Sequence, residues 1–266
     1  AAGTNPFVGT WLGGATVSAL ELTVIRWIAE MLDYDPSAAG VFTSGGSMAN
    51  LTALAAARSR LSHPVDFSTI YVSAEGHASV TRAAAVLGFA DEAIRVVAVD
   101  ETLRMDVDVL AAQIRDDIEA GHTPLCVVAN AGTKNLGVID PLPKLVRLCR
   151  QHDIWLHIDG AYGGFAALTS SGKSLLAGMQ DADSLTLDPH KWLYCPIGIG
   201  CVLVRDHRAL KTAFSTCGDY LKDVPTEEVN FFEYGPVSYT HLRAHQTRED
   251  RGWRGVGGKK KGGGGG

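Results

Sequence analysis

Asp188-Pro189-His190-Lys191-Trp192 follows the short apolar run 184–187, and upstream of it His157-Ile158-Asp159-Gly160-Ala161-Tyr162 carries on from another such run, 154–158. Each run reads as a buried strand. Residues just past strand ends occupy the rim on which open α/β sheets bind their ligands. An amine and a carboxylate on that rim can share one task. A lysine so placed can form a Schiff base with an aldehyde cofactor while the carboxylate keeps that cofactor's pyridine nitrogen protonated, which makes Lys191 and Asp159 the candidates. A solvated surface residue is the plainer reading of any single lysine. Against it here, Lys191 sits between His190 and Trp192 rather than in a charge run, and the strand leading to it is preceded by a second strand that ends in its own acid.

Outward from this pair the chain alternates between two periodicities. Ser18-Ala19-Leu20-Glu21 has the form of a capping box, and Leu22, Ile25, Ile28, Met31 and Leu32 behind it recur at helical spacing until Asp33 to Pro36. The stretch 40–51 reads as a short apolar strand, a turn through Gly45-Gly46-Ser47, and an alanine-rich helix running to Arg60. A turn of small residues opening a helix leaves backbone N–H groups free at its positive end, a natural seat for phosphate, although most such turns bind nothing. It is neither a G-x-G-x-x-G fingerprint nor a Walker loop. Strands are expected at 69–73, 94–99, 125–129 and 199–204, and helices at 78–87, 107–120 behind Asp106 as N-cap, and 142–152. This order predicts an α/β fold with a mostly parallel sheet and helices on both faces.

Two further groups fall on the same rim. His77 follows the 69–73 strand, and Gly132-Thr133-Lys134 follows the 125–129 strand. A lone rim histidine is more often structural, and Thr133 equally suits a capped turn.

Composition narrows the class. The 266 residues are 46% hydrophobic, with a net charge of -5, enough chain for one large core. No apolar run is long enough for a bilayer and the first residues lack a signal-peptide pattern, so a cytoplasmic location with no membrane partner is expected. The cysteines Cys126, Cys149, Cys195, Cys201 and Cys217 form no C-x-x-C pair and no zinc-type cluster, so no metal site is expected. Residues from Val237 onward carry +5 and the rest carry -10. A basic glycine-rich tail can be a nucleic-acid arm. Here 238–247 looks like translated adapter sequence and 257–266 is low-complexity, so 237–266 is set aside as non-native and no nucleic-acid partner is expected. With no initiator methionine at Ala1, the chain is also expected to be a fragment at both ends.

Taken in order, Thr43-Ser44-Gly45-Gly46-Ser47-Met48-Ala49-Asn50, Gly76-His77-Ala78-Ser79, His157 to Tyr162 and Asp188 to Trp192 resemble the group II pyridoxal-phosphate-dependent decarboxylases, across almost all of residues 1–236. The resemblance implies the type I aminotransferase fold, pyridoxal 5'-phosphate as cofactor and a homodimer. Lys191 would bond the cofactor, Asp159 would pair with its ring nitrogen, and Ala161 would leave space beneath the ring. His77 would stack above the ring, Gly46 and Ser47 would hold the phosphate with His190 nearby, and Thr133 would lie beside the cofactor.

By the same resemblance Tyr220, in Cys217-Gly218-Asp219-Tyr220-Leu221-Lys222, would return a proton to Cα from a mobile loop reaching the neighbouring subunit. Met48 and Lys134 depart from the family pattern, where many relatives have glutamate and some a second threonine. The implied division is a remnant of an N-terminal segment at 1–17, a cofactor-binding large domain at 18–205 and a catalytic loop with the start of a further region at 206–236. The implied reaction is decarboxylation of an aromatic L-amino acid. The alternatives are an aldehyde synthase, a carbon–carbon lyase, or a fragment that binds cofactor without turnover.

Overall fold

The computed structural model describes residues 11–215, with side chains from residue 14 onward. Tyr220 and the other assignments beyond residue 215 lie outside the described residues. Helix α1 spans Trp11–Met31, kinked where Gly14 leaves helical geometry, and its Ile25, Ile28 and Ala29 are buried. There follow β1 (Ala39–Thr43), α2 (Gly46–Arg58), β2 (Ser68–Ser73), α3 (Ser79–Val86), β3 (Ile94–Val97), α4 (Val107–Glu119) and β4 (Thr123–Asn130). Then come α5 (Leu142–Gln151), β5 (Trp155–Gly160), α6 (Ser170–Leu175), β6 (Ser184–Leu187), α7 (Pro189–Trp192), β7 (Gly200–Val204) and α8 (His207–Phe214). The position between residues 17 and 18 falls inside α1.

The capping box read at Ser18 is not a helix start. Ser18 lies inside α1 with its hydroxyl buried and unpartnered, and Glu21 instead accepts a hydrogen bond from the Phe42 amide at 2.9 Å. The acid is used across the fold: β1 is an edge strand, and Phe42 needs an acceptor on the side away from its one neighbour. Asp106, by contrast, caps α4 through the Asp108 and Val109 amides, as its sequence position indicates.

The seven strands form one sheet in the order β1-β7-β6-β5-β4-β2-β3, in which β7 runs antiparallel to both neighbours and the other pairings are parallel. Strands β2 and β5 are buried along their whole length, which is why their sequences show little alternation. Alternate residues feed two cores. Val127, Leu156 and Ile158 pack with α1, α4 and α5, whereas Cys126, Val128 and Trp155 pack with α2, α3 and α8. Fully buried side chains such as Leu110, Ile114 and Leu145 each contribute about 1.5–3 kcal/mol from leaving water.

The pairing register decides what meets at the rim. Asn130 stands opposite Asp159 and Gly160 opposite Leu187, so β4, β5 and β6 end level with one another. On the far side Thr43 pairs with Gly200, which brings the turn before α2 to the same edge.

Candidate active site

The loops leaving β1, β2, β4, β5 and β6 enclose a cleft of about 840 Å³. Gly46, Ser47, His77, Thr133, Asp159, Ala161, His190 and Lys191 all line it. The ninth candidate, Tyr220, lies outside the described residues.

The turn into α2 depends on missing side chains. Gly45 has φ 139°, a region that L-residues rarely enter. A Cβ on Gly46 would stand 3.0 Å from Ala161 Cβ and 3.1 Å from Asp188 Oδ2, and one on Gly200 would stand 2.6 Å from Gly45 Cα. The glycines therefore let β7 and the β5 and β6 loops close around the helix start. The Met48 and Ala49 amides both return to the Gly45 carbonyl, while those of Gly46 and Ser47 have no acceptor within the helix. Together with the helix dipole they make a positive pole facing the cleft. Beside it, His190 Nδ1 donates to the Ile199 carbonyl at 2.7 Å, which fixes the ring.

A buried hydrogen-bond chain orients Asp159 and His77. Trp155 Nε1 donates to Ser184 Oγ at 2.8 Å, and Ser184 lies 2.8 Å from His157 Nδ1. His157 Nε2 is 3.0 Å from Asn50 Oδ1, an oxygen that can only accept, so Nε2 carries the hydrogen and Nδ1 accepts from Ser184. Burial pushes the His157 pKa down to about 4, although the Asp159 charge opposes this, so the ring is neutral at pH 7. Asn50 Nδ2 then donates to Asp159 Oδ2 and to Ser79 Oγ, both at 2.9 Å. Ser79 passes its own hydrogen to His77 Nδ1 at 2.8 Å, and Ala161 N donates to Asp159 Oδ1 at 3.1 Å. Asn50, Ser79 and His157 were quoted in the sequence without a role. The available signal was polarity at His157, Ser184 and Thr186 within otherwise apolar strands.

Asp188 was likewise unassigned. It is 2% exposed; its Oδ2 lies 2.9 Å from Lys191 Nζ, and its Oδ1 has no partner. Burial raises its pKa, opposed by the hydrogen bond and charge of Lys191 and by His190, with Asp159 adding to the rise. Thr133 is buried and its Oγ1 accepts from the Val138 amide at 3.1 Å, so the capped-turn role is present alongside its place in the cleft wall. At the mouth, the Tyr162 and Trp192 rings meet edge to face with centroids 5.9 Å apart. Among the described residues there is no cluster of metal-ligating side chains and no helix long and apolar enough to cross a membrane.

Residues 3–233 match the family model described as the pyridoxal-dependent decarboxylase conserved domain. The chain belongs to this family. Over 248 residues it is 46% identical to the aromatic-L-amino-acid decarboxylase of Bacillus atrophaeus, covering 92% of this chain and 52% of that one. Over 219 residues it is 38% identical to the L-2,4-diaminobutyrate decarboxylase of Rhizobium meliloti, covering 82% of this chain and 44% of the relative. Catharanthus roseus tryptophan decarboxylase, solved in complex with L-tryptophan, superposes with a TM-score of 0.82 at 26% identity, over 92% of this chain and 56% of that one. The fold is thus the type I fold of pyridoxal-dependent decarboxylases, and the chain spans about half the length of the relatives it matches.

Proposed function

We propose that the chain binds pyridoxal 5'-phosphate in this cleft through residues 18–205, and that it acts in a cytoplasmic homodimer to convert an aromatic L-amino acid to its amine and carbon dioxide. The observation that carries the reading is the convergence of the Lys191 amine, the buried Asp159 carboxylate and a glycine-opened helix N-terminus on a single cleft. The residues fit the cofactor's three handles. Lys191 Nζ suits its aldehyde, Asp159 its ring nitrogen, and the Gly46 and Ser47 amides with His190 its phosphate.

When bound, pyridoxal phosphate supplies a sink for the electrons left at Cα as carbon dioxide departs. The protein's part is positioning and charge. Asp159, held by the Asn50 side chain and the Ala161 amide, keeps a proton on the ring nitrogen; in its low-dielectric setting that ion pair is stronger than in water. Ala161 would leave room for a flat ring, and His77, whose Nδ1 is held by Ser79, would cover its other side. Thr133 lines the cleft wall, and Tyr220 would return the proton to Cα.

The aromatic preference is supported by the Bacillus atrophaeus relative. Diaminobutyrate is the second reading, supported by the Rhizobium meliloti relative. Product analysis of the chain with cofactor and L-tryptophan, L-tyrosine or L-2,4-diaminobutyrate tests both. Amine and carbon dioxide without peroxide support decarboxylation, and the preferred substrate chooses between them. Aldehyde, ammonia and peroxide would instead make the chain an aldehyde synthase, and a cofactor adduct without product would leave it a binding protein only.

A further inference from the structure

We infer that Asp188 meets the cofactor's phosphate as a neutral acid, donating a hydrogen from the carboxyl oxygen that has no protein partner. This rests on the pyridoxal-phosphate reading above. Three observations support it. Asp188 is 2% exposed and its Oδ1 is buried without a partner. Both carboxyl oxygens face the first residue of the 13-residue helix α2, since a Cβ on Gly46 would lie 3.1 Å from Oδ2 and 3.4 Å from Oδ1. Asp188 also lines the cleft beside Gly46 and Ser47. A carboxyl group thus stands at the positive pole that suits a phosphate.

Two anions in contact in a buried place do not both keep their charge. The phosphate, with its second pKa near 6, is a dianion above about pH 7. The charged and titratable groups facing Asp188 are Lys191 and His190 on α7, Asp159 on β5 and Cys201 on β7, whose thiol is itself pushed up by burial. Of these, Lys191 alone is hydrogen-bonded to the carboxyl, and it is the amine that bonds the aldehyde. Lys191 bonds either aldehyde alike, and its loosened hold on the carboxylate is not enough by itself; the phosphate's charge, added to Asp159 and burial, completes the shift to the acid. A carboxylic acid supplies one O–H donor, and an O–H bond to a charged oxygen is among the stronger hydrogen bonds. Cofactor uptake therefore carries one proton onto Asp188.

Pyridoxal, which has the same aldehyde and no phosphate, isolates the effect. Affinities for pyridoxal phosphate and for pyridoxal are measured between about pH 7 and pH 9 for the native chain and for Asp188→Asn, whose amide donates at every pH. In the native chain the preference for the phosphorylated aldehyde falls as pH rises, approaching about tenfold per pH unit, the slope of one linked proton. In Asp188→Asn it stays flat. Infrared difference spectra of the native chain gain a protonated-carboxyl band on adding pyridoxal phosphate; pyridoxal does not produce it, and Asp188→Asn lacks it. Equal slopes in the two chains, or no such band in the native chain, overturn the inference. Absence of any borohydride-trapped adduct with either aldehyde overturns the cofactor-site reading, and this inference with it.

Discussion

Asn50 donates to Asp159 across 2.9 Å of buried space, tying the first turns of α2 to the end of β5. The same amide receives His157 and supports Ser79, so every polar atom on it is committed. Removing it strands groups on three sides. Asn50→Ala is expected to lower unfolding free energy by about 1–3 kcal/mol, the range for leaving a buried polar group unsatisfied. A urea midpoint equal to that of the native chain would mean these bonds contribute nothing net.

His157 makes stability depend on pH in a defined window. Its folded pKa of about 4 lies below the ordinary 6.5, so the unfolded chain takes up a proton that the folded chain refuses. The contribution is fully present above pH 6.5 and drains away as pH falls towards 4, by about 3 kcal/mol. Chemical unfolding of the native chain and of His157→Gln across this window should diverge in slope, with the variant flatter.

Lys191→Ala is expected to abolish the visible absorbance of the loaded chain and the borohydride-trapped adduct. The fold should survive, because Lys191 is an exposed-side partner whose loss leaves Asp188 free to take a proton. An adduct that persists, mapped by peptide mass, would assign the aldehyde to another amine.

Asp159→Asn should retain part of the cofactor affinity, since the phosphate seat is untouched, while turnover drops by about a hundredfold or more. Single-turnover kinetics on the loaded variant check this. A rate near that of the native chain would remove the electron-sink role.

Gly200→Ala tests the close approach behind the helix start. Its new methyl meets Gly45 Cα at 2.6 Å, against backbone that has nowhere to retreat. Weaker cofactor binding is expected from displacement of the Gly45-Gly46 turn, although residue 200 does not line the cleft. Unchanged affinity would show that the turn tolerates the shift.

Much of the fold could be read from the chain because the buried strands are short apolar runs and their ends carry distinctive residues. Asp159 and Lys191 stood out for that reason. The hydrogen-bond chain through Asn50, Ser79 and His157 could not be read, since its members come from α2, α3 and β5 and only the folded sheet brings them together. The direction of β7 was equally hidden, because apolar periodicity is the same for either direction. A parallel return needs a crossover of a dozen or more residues, usually helical, and the link from Leu187 to Gly200 gives only Pro189–Trp192 to helix. Ser18 misled because Glu21, three residues on, serves a strand rather than its own helix end.

Strand β1 has a single neighbour, β7, which is made some 160 residues later. As the chain leaves the ribosome, Val41 therefore waits for Val202, and the turn at Gly45 cannot settle until nearly all of the described body has been synthesised. Such long-range closure slows folding. The positive pole at the start of α2 is thus among the last features of the described body to take shape.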